Sequence, residues 1–125
     1  MTEVYFFDTY AFFEIIKQNA AYEKYTDVCF VTTKLNLFEL YYGLLKDGNG
    51  DLASLLWDTY FPFAVDIDRD VLEFAAQFRY AHKNQKLSMT DCIGYVLAKK
   101  LCIPFLTGDT ESADFENVVF VPHAA

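Results

Sequence analysis

"VYFFDTY", residues 4–10, decides how the rest of the chain is read. Four large apolar residues run directly into Asp8. A short apolar run that is aromatic and β-branched reads as a buried strand, here Glu3 to Phe7. An ionised carboxylate beside that much apolar surface is costly unless something pairs with it. One bland account is open: Asp is a favoured N-cap, and "TYAFFEIIKQ" (9–18) reads as a helix with Phe12, Phe13 and Ile16 on one side. The alternative is a charged site, which depends on whether other acids occupy equivalent places further along.

They do, because strands and helices continue to alternate. "VCFVTT" (28–33) reads as a strand and "KLNLFELYYGLLK" (34–46) as a strong helix, broken by "DGNG" (47–50). "LASLLWDTYF" (52–61) is a helix stopped by Pro62, and "FAVDI" (63–67) a third strand. "DRDVLEFAAQFRYAHKN" (68–84) opens with acids and closes with bases, as a helix dipole prefers. "TDCIGYVLAKKL" (90–101) is another helix, and "IPFLT" (103–107) and "VVFV" (118–121) are the last strands. The pattern predicts an α/β fold: a mostly parallel five-stranded sheet with helices on both faces. In such sheets ligands bind beyond the carboxyl ends of the strands.

Four acids fall near that edge. Asp8 follows the first strand. Glu39 lies in a helix that is apolar almost all round, which favours a carboxylate pointing into a site over a solvated one. Asp91 heads an apolar helix, where Ser88 or Thr90 is the expected cap. Asp109 follows a strand, with Asp114 five residues on as a second candidate of the same chemistry. Each has an ordinary reading as a cap, a dipole-favoured acid or a turn residue. Together they repel, and converging carboxylates are held by hard cations that take oxygen ligands.

Composition bounds the reading. The 125 residues, 54% of them hydrophobic, fit one domain with a real core and exclude disorder. A net charge of −8 argues against broad electrostatic attraction to nucleic acid, but not against an enzyme whose acids bind cations. No apolar run approaches a membrane span, and the N-terminus lacks the basic start of a signal peptide. Cys29, Cys92 and Cys102, with no CxxC spacing, read as reduced core thiols of a cytosolic protein. Phe12, Phe13, Tyr41 and Tyr42 are too many for the early helices to hide and point to association; the alternative is that all four are core. Tyr41 and Tyr42 beside Glu39 also suit base stacking. Arg79, His82, Lys83 and Lys86 precede Asp91 and could hold phosphates; the alternative is an ordinary basic helix end.

Four segments, "VYFFDTYAFF", "LNLFELYYGLL", "LSMTDCIGYVLAKKL" and "IPFLTGDTESADFENV", make the chain resemble a PIN domain over about residues 3–121. Its short length resembles the VapC-type toxins of toxin–antitoxin pairs. The resemblance implies a cytoplasmic ribonuclease in which Asp8, Glu39, Asp91 and Asp109 ligate Mg²⁺ or Mn²⁺. Thr107 would orient a carboxylate or a water, and Asp114 would hold the family's Asp-Phe position. It also implies a homodimer and a cognate antitoxin partner. Tyr10 departs from the family's small hydroxyl residue two places after the first Asp.

No His lies in the four segments, which argues against a metal-free His-based ribonuclease. A receiver domain needs an Asp closing a middle strand and a late Lys, and "FLTGD" offers no Lys. In "DTYAF" Tyr10 stands where a haloacid-dehalogenase-like phosphatase has a second acid or Thr. A catalytically inactive PIN-fold module that binds RNA or protein is the remaining rival; four clustered acids argue against it.

Overall fold

The structure is a computed structural model and describes residues 3–123. Four parallel strands, β1 (Val4–Phe7), β2 (Cys29–Val31), β3 (Phe105–Thr107) and β4 (Val118–Phe120), form a sheet in the order β2-β1-β3-β4. Five α-helices connect them: α1 (Thr9–Ile16), α2 (Lys34–Lys46), α3 (Gly50–Tyr60), α4 (Arg69–Ala81) and α5 (Met89–Lys100). Consecutive strand residues point to opposite faces, and β1 and β3 show it directly. Phe6 and Phe105 enter a core with Val71, Ile93 and Leu97 under α4 and α5. Phe7 and Leu106 enter a second core with Phe12, Leu37, Leu40 and Ala53 under α1, α2 and α3. Both faces of the sheet are therefore covered, as a parallel sheet requires.

The expected fifth strand over 63–67 is not formed. Phe61–Phe63 closes a 3-10 turn at Pro62, and Ala64 makes a single parallel bridge to Thr32. The bridge consists of Thr32 N–H donating to the Phe63 carbonyl (3.1 Å) and Val65 N–H donating to the Thr32 carbonyl (2.8 Å). Three residues later Asp68 already caps α4. Too little chain lies between the turn and the cap for a ladder. Aromatic contact replaces it, with Phe30 packed on Tyr60 and Phe63.

The other elements lie where the sequence predicts them, with shifted ends. α1 stops at Ile16 rather than residue 18, because Gln18 turns into the left-handed region (φ 60°). α3 begins two residues early, at Gly50. The three cysteines are free thiols, but only Cys92 is in the core. Cys29 starts an edge strand, and Cys102 sits in a left-handed turn (φ 58°) between α5 and β3; both are exposed, contrary to the sequence reading. Among the described residues no helix is long and apolar enough to cross a membrane.

Candidate active site

Strand and helix ends place the predicted acids around the carboxyl edge of β1 and β3. Asp8 follows β1 with extended backbone and caps α1; its Oδ1 accepts the Ala11 N–H at 2.8 Å. Asp8 is thus the cap of α1, and the same carboxylate feels the charges of Asp91 and Asp109. Asp8 is 3% exposed. Burial pushes its pKa up, hydrogen bonds from Thr107 and the Ala11 amide pull it down, and the charges of Asp91 and Asp109 push it up again, to about 7.

Asp91 is the third residue of α5. Ser88 caps that helix, and a reciprocal capping box ties the two: the Ser88 hydroxyl accepts the Asp91 N–H (2.9 Å), and the Asp91 carboxylate accepts the Ser88 N–H (3.1 Å). Burial raises the Asp91 pKa, the Ser88 hydrogen bonds oppose it, and Asp109 and Glu39 raise it further. Asp109 follows β3 and caps a short 3-10 turn; its Oδ1 accepts the Glu111 N–H at 3.0 Å. Its own N–H donates to the Thr107 hydroxyl at 3.1 Å. Thr107, fully buried, thus accepts the Asp109 amide and lowers the Asp8 pKa. Glu39 projects from α2, and its Oε1 accepts the Thr9 hydroxyl at 2.7 Å.

The structure links these acids pairwise through their charges: Asp91 and Asp109 act on Asp8, and Asp109 and Glu39 act on Asp91. It does not bring Asp114 to them: Asp114 is exposed and is not among the charges acting most strongly on Asp8 or Asp91. Among the described residues the ion pairs join Lys17 and His123 to Glu14, Lys99 to Glu116, and Lys100 to Asp68; none reaches the four acids. Among the described residues, too, no three His, Cys, Asp or Glu side chains are grouped so that they could hold a metal ion in this arrangement. Each carboxylate is instead turned toward a local hydrogen-bond donor.

The basic residues divide. Arg79 lies close enough to Cys92, next to Asp91, for its charge to oppose the burial that raises the Cys92 thiol; its guanidinium donates to the His82 carbonyl (3.3 Å). Lys86 is tied near Asp109, its N–H donating to the Glu111 carboxylate at 2.9 Å. Lys83 places its ammonium over the Tyr80 ring. Of the four aromatic residues expected at a surface, Phe12 is core, Phe13 and Tyr41 are half-buried, and Tyr42 is exposed. Phe38, which the sequence reading passed over, is more exposed still. Phe38 and Tyr41 of α2 line a surface hollow of about 500 Å³ with Trp57 of α3.

Thr9, Thr33 and Asn36 were not singled out from the sequence. Their signal is a polar residue at a helix start or inside an apolar helix, and Asn36 is 1% exposed. Tyr10 packs its ring on Gly108, so closely that a Cβ there would lie 2.2 Å from Cε1. The large side chain at this position fits because the next strand end carries no side chain.

A parallel α/β sheet with this set of acids at one edge defines a class, and the sequence agrees. The PIN domain family matches residues 5–120, and the chain belongs to that family. Solved structures share the fold at low identity. A toxin–antitoxin complex from Klebsiella pneumoniae superposes with a TM-score of 0.71 at 17% identity, covering 91% of this chain and 94% of that one. FitAcB from Neisseria gonorrhoeae gives 0.70 at 20%, covering 94% and 97%. Mycobacterium tuberculosis VapC20, described as a sarcin–ricin loop cleaving toxin, gives 0.70 at 18%, covering 91% and 98%. No curated protein matches the chain in sequence.

Proposed function

We propose that this PIN domain is a divalent-metal-dependent endoribonuclease, the toxin of a VapBC-type toxin–antitoxin pair. One observation carries the reading. Asp8 feels the charges of Asp91 and Asp109, and Asp91 those of Asp109 and Glu39, with no cation partner for these acids among the described residues; burial with this repulsion holds Asp8 at about 7. An all-carboxylate donor set suits Mg²⁺ or Mn²⁺, which take oxygen ligands. These four acids would hold the ion. When bound, it neutralises phosphate charge, acidifies an attacking water and steadies the leaving oxygen.

The chain's own residues do the rest. Thr107 holds Asp8 and Asp109 in a fixed relation. A carboxylate of the cluster accepts the proton of the attacking water. Arg79, whose charge acts on Cys92 next to Asp91, and Lys86, whose N–H is bonded to Glu111, would hold the neighbouring phosphates, with Lys83 as a further candidate. Water attacks phosphorus and the bond to the 3′ oxygen breaks, leaving a 5′-phosphate and a 3′-hydroxyl. The toxin reading draws on the fold shared with toxin–antitoxin proteins. It brings with it a cognate antitoxin, a homodimer and a cytoplasmic site of action. The apolar side chains exposed along α2, Leu35, Phe38, Tyr42 and Leu45, supply surface for such partners.

The test is cleavage of RNA carrying single-stranded loops, with Mg²⁺ or Mn²⁺. EDTA stops it, and the ends are 5′-phosphate and 3′-hydroxyl. Products ending in 2′,3′-cyclic phosphate would exclude water as nucleophile. Activity that persists in EDTA and in Asp8→Asn and Asp91→Asn would overturn the reading. A protein that neither binds Mn²⁺ nor cuts would be the inactive binding module.

A further inference from the structure

We infer that Thr9 and Asn36 are positioning residues that fix the direction of the Glu39 carboxylate. The inference rests on reading Glu39 as one of the metal-holding acids. Glu39 sits on a helix, half-buried, with a flexible side chain and no ion-pair partner among the described residues. A three-step chain of hydrogen bonds ends on it. The Thr33 hydroxyl donates to Asn36 Oδ1 (2.6 Å), Asn36 Nδ2 donates to Thr9 Oγ1 (3.2 Å), and the Thr9 hydroxyl donates to Glu39 Oε1 (2.7 Å).

The carboxylate sets the polarity of the whole chain. An ionised carboxylate only accepts, so Thr9 must donate its one proton there. The Thr9 oxygen then accepts, which turns the Asn36 amide so that its NH₂ faces Thr9. Its carbonyl oxygen therefore faces Thr33, which donates. The Thr33 oxygen accepts the Asn36 backbone N–H (3.2 Å), and so caps α2. Thr33 and Asn36 are almost fully buried, and among the described residues no buried side-chain donor or acceptor is left unpaired. The Asn36 backbone carbonyl, 3.5 Å from the Thr9 hydroxyl, is a poorer acceptor than Glu39 at 2.7 Å, and inverting the buried Asn36 or Thr33 would break their mutual bond, so this arrangement is favoured.

The arrangement also joins two acids. Thr9 is the first residue of α1, and the Asp8 cap sets where that helix starts. The oxygen that Thr9 aims at Glu39 is thus placed by its neighbour Asp8. One Glu39 oxygen is occupied by Thr9, and the same bond fixes the direction of the other. Groups that orient a metal ligand in this way change metal affinity by about 10–100-fold when removed.

Mn²⁺ binding to the full chain, measured by calorimetry or electron paramagnetic resonance without RNA, tests this. Thr9→Val should weaken Mn²⁺ by about 10-fold or more. Thr9→Ser, which keeps the hydroxyl, should restore affinity to within about 3-fold of wild type by the same principle. In a Glu39→Ala background Thr9→Val should cause no further loss, because nothing remains to be positioned. Thr9→Ala serves if the valine variant does not fold. Unchanged affinity in both Thr9 variants would overturn the inference and leave the acidic site standing. So would an equal loss in the Glu39→Ala background. If Glu39→Ala itself binds Mn²⁺ like wild type, the metal role of Glu39 falls and the inference falls with it.

Discussion

Helix α1 holds two buried acids that the protein treats in opposite ways. Asp8 at its head is 3% exposed, and Glu14 near its end is 2% exposed. Burial alone would raise both. Around Glu14 the chain compensates: His123 Nδ1 lies 2.7 Å from Oε1, Asn19 Nδ2 donates at 3.1 Å, and Lys17 stands 3.8 Å from Oε2. These groups outweigh the burial and hold Glu14 below its ordinary value. Around Asp8 the nearest charges are two more acids, and its pKa rises to about 7. The fold can supply partners for a buried acid and does so where the acid ties the chain's end to α1. At the sheet edge no cation among the described residues pairs with the acids, which is costly unless one arrives from outside.

The largest effect expected is on activity. Asp8→Asn and Asp91→Asn should each lower RNA cleavage by about 10³-fold or more, and the double variant should lose little further, since ligands of one site act as a unit. Glu14→Gln should leave kcat within a few-fold, because Glu14 is held by its own partners. Cleavage of one RNA by wild type and the four variants checks this. A Glu14 variant as inactive as Asp8→Asn would erase the distinction between the two acids.

Stability should separate them with opposite signs. In EDTA at pH 8, Asp8→Asn should stabilise the protein by about 1–3 kcal/mol, because it removes a strained charge while Asn still caps a helix. Glu14→Gln should destabilise by about 1–2 kcal/mol through weakened charge-assisted bonds. Urea denaturation of each reads both.

The pH dependence follows from the same shifts. The Asp8 pKa in the fold lies above that of the unfolded chain, so between 3.8 and about 7 the native state holds a proton that the unfolded state has released. Stability of the metal-free protein should therefore fall as pH rises through that window, and Asp91, also raised, adds to the fall. Asp8→Asn should flatten the slope. Glu14 is depressed, so its contribution is present above its ordinary 4.5 and is lost as pH falls through its lower folded value. Denaturation midpoints at pH 5.5 and 8 distinguish the two.

The smallest effect belongs to Lys17. Its side chain is 60% exposed, and its ammonium stands 3.8 Å from Glu14. Lys17→Ala should cost no more than about 0.5 kcal/mol. A larger loss, read by thermal melting, would shift the account of Glu14 from its hydrogen bonds to its ion pair.

How much of this the sequence announces depends on range. β1, the Asp8 turn and α1 are legible because the apolar run, the acid and the helical spacing are adjacent. The start of α5 is legible for the same reason, but the sequence leaves Ser88 and Thr90 both open as its cap, and the reciprocal box with Asp91 selects Ser88. The 63–67 segment misleads because its apolar content suits a strand, while Pro62 and the Asp68 cap leave it room for one bridge. Glu14 passes unnoticed inside "FFEII", since the partner that identifies it, His123, is 109 residues away. Asn36 passes for a polar residue in an amphipathic helix until Thr9, 27 residues back, is seen beside it. Asp109 and Asp114 share the same chemistry in sequence, and only the turn after β3 makes one a half-buried cap and leaves the other exposed.

The central claim is that the unpaired acids at the sheet edge await a divalent cation. The most direct measurement is the melting temperature of wild type, Asp91→Asn and Glu14→Gln with and without Mn²⁺. Binding to the native state alone should stabilise wild type by about 2–3 kcal/mol at roughly a hundred times the dissociation constant. Glu14→Gln should keep that rise, and Asp91→Asn should lose most of it. An equal rise in all three proteins, or none in wild type, would contradict the account.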